Sequence, residues 1–187
     1  EGADLILNGL PLECTQNVLE AALEVKAHYQ DYAATTALHE DWVESIRIQY
    51  EVYGPKFEAI GKLALVGTGS APGLICAATR DAMRYLDSCE TIYNIVWEGV
   101  EAKRFLPFWW SPVTALHDMS EDAYALENGK LVRTPAFGMT IKRQYNYMEK
   151  EITFAEHCHD EPIHYSFNAE KYFKGVKNAY FKYAGEG

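Results

Sequence analysis

The sequence predicts an α/β segment that leads into an α+β domain with a mixed or antiparallel sheet and helices. Two short apolar runs enclose an amphipathic helical stretch within the first 33 residues, which is typical of a βαβ unit with parallel strands. Beyond Asp87 the pattern changes to strand-like alternation, dense aromatic residues and a hairpin-type turn. We therefore predict the end of a Rossmann-type parallel sheet, followed by a second sheet with helices.

The elements of the first part follow from hydrophobic periodicity. Residues 3–9 form an apolar run that ends at a glycine, which indicates a buried strand. The segment TQNVLEAALEVKA, residues 15–27, places most of its apolar side chains on one helical face. Residues 29–33 indicate a second strand. Residues 37–61 then predict a longer helix, which Gly54-Pro55 kinks or restarts.

The segment at residues 62–87 raises the question of a phosphate-binding loop. An apolar run, glycines at 67, 69 and 73, and a helical pattern follow one another, as in a dinucleotide-binding loop. However, Pro72 stands where the third glycine of G-x-G-x-x-G belongs, and proline lacks the N–H that would bind a phosphate. The βαβ unit also precedes this loop, whereas a phosphate loop stands at the first strand of such a sheet. Phosphate binding is therefore the weaker interpretation.

The second part of the chain carries clear strand and turn signals. ETIYNIVWEGVEA, residues 90–102, and KNAYFKYAGEG, residues 177–187, indicate strands, and NGK at 128–130 indicates a hairpin turn. Ser111 followed by Pro112 has the form of a helix N-cap with proline at the first helical position.

Composition limits the class of partner and the compartment. The formal net charge of −10 disfavours nucleic acid, because affinity for a phosphate backbone depends on lysine and arginine. Four widely separated cysteines indicate reduced thiols and a cytoplasmic location, and no apolar run approaches the length of a membrane span. The chain opens EGADLILNGLP without an initiator methionine, so we expect it to be the interior of a longer protein.

Four short motifs together carry a family resemblance. ADLILNGLP, LEAALEVKAHYQDYA, LALVGTGSAPGL and FWWSP, within residues 3–113, resemble in order and spacing the saccharopine dehydrogenase-like oxidoreductases. The resemblance implies that residues 1–35 are the last part of a Rossmann domain for NAD or NADP. Residues 36–187 would be an α+β substrate and dimerisation domain, truncated at its C-terminus. The main phosphate-binding loop would lie outside this chain, so we expect the chain alone to be inactive.

The resemblance also assigns candidate site residues. Four residues after the first strand would line the outer cofactor cleft, namely Asn8, Gly9, Leu10 and Pro11. Asp31 and Tyr32 would stand near the nicotinamide. Five residues would contact the substrate in the cleft between the domains, namely Gly69, Pro72, Gly73, Trp110 and Ser111.

The chemistry that the resemblance implies is hydride transfer at the C–N bond of an amino-acid-like substrate, in a homodimer. Such chemistry needs a proton shuttle, and Asp31 and Ser111 are our catalytic candidates. Each also has a structural interpretation, since Asp31 could cap a helix or form a turn and Ser111 could be an N-cap. A non-catalytic binding or scaffold protein on the same fold is the alternative, because a fold does not establish a reaction.

The segment EHCHDEPIH, residues 156–164, has the residue types of a metal site. In a strand, His157 and His159 would share one face while Cys158 would point away. Zinc sites mostly combine two closely spaced ligand pairs, and the sequence contains no second pair. We therefore predict no metal site, and expect a polar, mostly solvated edge or turn.

Overall fold

The computed structural model describes residues 2–33, 36–99 and 111–186, and the chain divides into two compact units, residues 1–82 and 83–187. Residues 36–82 thus lie with the parallel strands in the first unit. The boundary predicted near residue 35 concerns domains of a larger protein and stays a prediction. The predicted order of an α/β part and then a mixed sheet with helices is confirmed.

The first unit contains a three-stranded parallel sheet in the order β1-β2-β3. Its strands and helices are β1 (Leu5–Asn8), α1 (Thr15–Glu24), β2 (His28–Asp31), α2 (Trp42–Ile48), α3 (Gly54–Ala59), β3 (Ala64–Leu65) and α4 (Leu74–Ala82). A 3-10 turn, Leu12–Cys14, precedes α1. The core beneath the sheet is built around Leu19, Ala22, Tyr29, Tyr53 and Phe57.

The predicted long helix at residues 37–61 begins later than expected. It starts at Trp42 because the Asp41 side chain accepts a hydrogen bond from the Glu44 N–H at 2.9 Å and caps the first turn. Its irregularity is a π-helical turn, Gln49–Tyr53, that precedes the Gly54-Pro55 pair. Pro55 lies in the first turn of α3, where the helix requires no N–H from it.

The described residues of the second unit, 83–99 and 111–186, form a six-stranded mixed sheet with two α-helices. Its elements are β4 (Thr91–Gly99), α5 (Pro112–Ser120), β5 (Ala123–Glu127), β6 (Lys130–Thr134), β7 (Ile141–Arg143), β8 (Ile152–Glu156), α6 (Glu161–Tyr172) and β9 (Asn178–Glu186). Strand β9 is central: it pairs in parallel with β4 on one side and antiparallel with β5 and β8 on the other. The predicted hairpin turn is confirmed between β5 and β6, where Asn128 and Gly129 both have positive φ.

Within the described residues, every helix is too short or too polar to cross a lipid bilayer.

Candidate functional site

A buried polar chain connects the carboxyl ends of the three parallel strands. The Asn8 Nδ2 donates to the Tyr29 hydroxyl at 2.9 Å, and that hydroxyl donates to Asp31 Oδ2 at 2.8 Å. The other carboxyl oxygen of Asp31 accepts the Gly67 N–H at 2.7 Å, just after β3. All three side chains are buried. This polar chain therefore holds the ends of β1 and β2 in fixed positions. It also fixes the start of the loop at residues 67–73, called the glycine loop below.

Burial sets the ionisation of this polar chain. Burial raises the pKa of the Asp31 carboxyl, against the opposing effect of the Gly67 N–H and the Tyr29 hydroxyl. Burial, opposed by the Asn8 amide and assisted by the nearby Asp31, also raises the pKa of Tyr29 above its usual value. The tyrosine is thus a neutral donor to Asp31 at neutral pH.

Asp31 neither caps the following helix, whose N-cap is Asp41, nor ends exposed in a turn. Instead it ties β2 to the glycine loop through its side chain and through its carbonyl, which accepts the Thr68 N–H at 3.0 Å. The contribution of Tyr29 was missed from the sequence. A signal for it existed, because Tyr29 lies two residues before Asp31 and so shares its face of the strand.

Replacing Asp31 by asparagine is expected to lower the free energy of unfolding by about 1–3 kcal/mol. An asparagine side chain can accept from only one of the two donors, Gly67 N–H and Tyr29 O–H, that Asp31 accepts. Urea unfolding of wild type, Asp31→Asn, Tyr29→Phe and the double variant measures this. The coupling between the two sites should exceed about 0.5 kcal/mol, and additive losses would contradict a direct contact.

The same variant tests the ionisation of Asp31. A carboxyl whose pKa is raised on folding binds its proton more tightly in the folded state, and this tighter binding adds to the free energy of unfolding. The added stability is complete below the unfolded pKa of about 3.9, and it is lost as the pH rises to the raised folded pKa. We expect the stability difference between wild type and Asp31→Asn to be larger at acidic than at neutral pH. A difference that grows as the pH rises would contradict this.

Four backbone N–H groups between residues 67 and 75 already donate hydrogen bonds within the chain. The Gly67 and Thr68 N–H groups donate to Asp31, the Leu74 N–H donates to Gly69 O at 2.9 Å, and the Ile75 N–H donates to Ser70 O at 3.1 Å. A phosphate would need such N–H groups and would meet the Asp31 carboxyl beside them. These contacts favour the interpretation of this loop as a structural turn over a phosphate cradle.

The glycines of this loop are required by close backbone approaches. A Cβ on Gly69 would lie 2.9 Å from the Tyr32 carbonyl oxygen, and one on Gly73 would lie 2.5 Å from the Gly69 carbonyl oxygen. Gly73 also has a φ of +119°, which side chains rarely adopt. Pro72 lies between them, after a cis peptide bond. The predicted residues Gly69, Pro72 and Gly73 thus form one tight turn beside the end of β2.

Most of the remaining candidates of the first unit meet at this edge of the sheet. The Asn8 side chain accepts the Leu10 N–H at 3.0 Å and shapes the turn Gly9-Leu10-Pro11 after β1. A Cβ added to Gly9 would lie 4.0 Å from the ring of Tyr32. The Leu10 and Tyr32 side chains are 60% and 53% exposed. The edge therefore presents exposed apolar and aromatic surface above buried polar groups.

Two of the residues predicted to contact the substrate, Trp110 and Ser111, belong to the second unit. Ser111 is the N-cap of α5: its hydroxyl accepts the Thr114 N–H at 3.4 Å and Pro112 follows at the first helical position. The structural interpretation of Ser111 is confirmed, while its catalytic role stays a prediction. Trp110 lies outside the described residues.

The prediction that residues 156–164 form a mostly solvated edge or turn is wrong. Glu156, His157, Cys158, Asp160 and Glu161 are all buried. The physical reason is their place in the fold, because β8 pairs with both β7 and β9, and α6 packs against β5, β6 and β9. Local polarity did not reveal this, since a short polar segment between a strand and a helix resembles a surface turn.

Ion pairs and hydrogen bonds connect the polar side chains of this segment. His159 Nδ1 lies 2.5 Å from Glu161 Oε2 and 3.5 Å from Asp160 Oδ1, and His164 Nε2 lies 3.5 Å from Asp160 Oδ2. Burial lowers the pKa of His159, but the Glu161 and Asp160 carboxylates outweigh it and hold this pKa well above the usual value. Burial raises the pKa of Glu161, against the effect of His159.

The two residues before His159 are buried without charge. Burial and the neighbouring His159 lower the pKa of His157 to about 4, so the His157 imidazole is neutral at neutral pH. Burial raises the pKa of the Cys158 thiol to about 12, although Arg133 opposes this. Cys158 is therefore inert as a nucleophile at neutral pH.

Thiol labelling tests the burial of this segment. We expect two of the four thiols, Cys14 and Cys76, to react readily with Ellman's reagent at pH 8, because Cys89 and Cys158 are buried and their pKa values are raised. All four should react in denaturant. In Cys158→Ser the number of rapidly reacting thiols should remain two. A fall of this number to one would show that Cys158 is accessible in the folded protein.

No protein-family model matches the chain, and no curated protein matches it. Its structure is similar to apo histidine-tagged saccharopine dehydrogenase (L-Glu forming) from Saccharomyces cerevisiae, at 13% identity and a TM-score of 0.62. The match covers 96% of this chain and 40% of that dehydrogenase. A second match, yvaA of Bacillus subtilis, a candidate oxidoreductase, has 10% identity and a TM-score of 0.36, covering 97% and 46% of the two chains. The first likeness shows that the chain shares the fold of part of that dehydrogenase.

Proposed function

We propose that this chain is part of an NAD- or NADP-dependent oxidoreductase resembling saccharopine dehydrogenases. The reaction would be hydride transfer at the C–N bond of an amino-acid-like substrate. The observation that carries the proposal is the agreement with the yeast dehydrogenase fold over 96% of this chain. The chain spans about 40% of the length of that enzyme, so the activity is proposed for the whole protein.

The edge at the carboxyl ends of β1 and β2 is where we place the cofactor. Ligands of open α/β sheets bind outside the carboxyl ends of the strands. The exposed side chains of Leu10 and Tyr32 suit the flat ring of the nicotinamide. The four loop N–H groups that already donate within the chain, those of Gly67, Thr68, Leu74 and Ile75, do not suit phosphates. NAD or NADP, when bound, supplies or accepts the hydride.

The chain's own residues would have positioning roles at this edge. The polar chain Asn8–Tyr29–Asp31 would keep both strand ends and the glycine loop rigid, since all its partners are internal. Gly9 would let the cofactor approach the backbone closely, because among the described residues only the Tyr32 ring lies within 4 Å of its Cβ position. Asp31 and Ser111 are the candidates for the acid and base of the reaction, which substitution of each would test.

Binding of reduced cofactor by the full-length protein tests the proposal. We expect NADH or NADPH fluorescence to change saturably on addition of protein. Tyr32→Ala should weaken this binding several-fold, because the exposed aromatic ring is removed while the buried polar chain stays intact. Tyr50→Ala, at a tyrosine of similar exposure on another part of the first unit, is the matched control and should bind as wild type.

Absence of saturable binding of either cofactor would overturn the proposal in favour of a binding or scaffold protein on the same fold. We also propose a homodimer located in the cytoplasm, on the basis of the resemblance and of four cysteines that form no disulfide. Sedimentation of the full-length protein measures the oligomeric state, and a concentration-independent monomer would contradict the dimer.

A further inference from the structure

We propose that His159, Asp160 and Glu161, at the start of α6, form a binding site for a divalent transition-metal ion of the zinc class. The site lies wholly within the second unit and is independent of the proposed cofactor edge. One donor atom from each of the three side chains lies within 4.8 Å of the others. The donors are one imidazole nitrogen and two carboxylate oxygens, which are all zinc ligands.

The distances between the donor atoms would admit an ion after one small adjustment. His159 Nδ1 and Asp160 Oδ1 are 3.5 Å apart, which is close to the separation of two ligands on one tetrahedral ion. His159 Nδ1 and Glu161 Oε2 are 2.5 Å apart, a hydrogen bond that must open by about 1 Å to admit an ion with ligand bonds of about 2 Å. Metal binding would thus displace the proton shared by these two groups.

Glu161 supplies a separate observation that points to a cation. Its side chain is fully buried, and its carboxylate is directed into the cluster by the contact with His159. Within the described residues its second oxygen, Oε1, has no hydrogen-bond partner. Because an unsatisfied oxygen of a buried carboxylate is costly, a metal ion that Glu161 coordinates would compensate for it.

A neighbouring histidine contacts one of the proposed ligands, as residues around metal sites commonly do. His164 Nε2 lies 3.5 Å from Asp160 Oδ2, whereas the other oxygen of this carboxylate, Oδ1, is the one near His159. Such contacts orient a ligating carboxylate and strengthen its binding. The side chains of His159 and His164 are 16% and 19% exposed, so the cluster is reached from solvent. Three protein donors leave one position of a tetrahedral ion for water or another ligand.

A metal titration of the full-length protein, prepared without a histidine tag and stripped by chelation, tests the proposal. Calorimetry with Zn²⁺ should show one saturable site per chain with release of a proton, and Co²⁺ should give the visible absorption of a low-coordinate ion. Glu161→Gln, which keeps the shape and removes the charge, should weaken Zn²⁺ binding at least about tenfold. Glu170→Gln, on the same helix with an 84% exposed side chain, is the matched control and should bind as wild type.

His159→Gln is the second variant if Glu161→Gln does not fold, as judged by circular dichroism. Its side chain is accessible, and it should lose binding to a similar extent. The exposed pair His117–Glu121, at 2.9 Å, is the competing surface site, and His117→Gln distinguishes it. Absence of saturable binding by wild type would overturn the proposal. So would binding that survives Glu161→Gln and His159→Gln but is lost in His117→Gln.

Discussion

Replacing Lys182 by methionine is expected to lower the free energy of unfolding by about 3–5 kcal/mol, because it leaves the carboxylate of Glu156 buried without its countercharge. Lys182 on β9 and Glu156 on β8 are register partners, and they are only 2% and 1% exposed. Lys182 Nζ lies 3.6 Å from Glu156 Oε1 and donates to the Met139 carbonyl at 2.6 Å. In the described part of the chain, neither carboxylate oxygen of Glu156 has a hydrogen-bond partner.

Two further variants show whether the ion pair is the cause. The double variant Lys182→Met/Glu156→Leu removes both charges, so we expect it to recover most of the loss, as replaced buried pairs commonly do. Lys177→Met, at an exposed lysine that faces Glu170 at 3.8 Å, should change stability by less than about 1 kcal/mol. Urea unfolding of the four proteins measures these differences. A double variant as unstable as Lys182→Met alone would show that packing, and not charge, determines the effect.

Gly73→Ala is expected to destabilise the first unit by about 3–4 kcal/mol, the combined cost of a steric clash and a strained backbone. The new Cβ would lie 2.5 Å from the Gly69 carbonyl oxygen and 2.7 Å from that of Gly67, both in the backbone of the same tight turn. These atoms cannot move without loss of the Leu74 N–H to Gly69 carbonyl hydrogen bond. The φ of +119° adds strain for any residue with a side chain.

Gly61→Ala separates the clash from the backbone conformation. Gly61 also has a positive φ, +65°, but no atom of the residues that the structure describes lies within 4 Å of its Cβ position. Its substitution should therefore cost only the intrinsic penalty of the left-handed conformation, about 1–2 kcal/mol. Thermal unfolding followed by circular dichroism compares the two. Equal losses at the two positions would mean that the turn at Gly73 relaxes freely, against the tight packing described above.

Much of the fold was accessible from local sequence. The βαβ unit, the Asn128-Gly129 hairpin and the Ser111 cap depend on periodicity and turn chemistry, which act between near neighbours in the chain. The start of the second helix was displaced because the Asp41 cap, rather than the apolar repeat, sets where the helix begins.

The candidate sites were accessible only in part. The sequence by itself determined that Asn8 and Asp31 end two neighbouring parallel strands, because strand order and alternation follow from apolar spacing. Only the tertiary structure decided that Tyr29 connects them and that every residue of 156–161 except His159 lies buried. These facts depend on partners such as Lys182, which lies 26 positions after Glu156. Burial depends on how the whole chain packs, whereas polarity belongs to each residue. A local sequence pattern therefore reveals polarity but not burial.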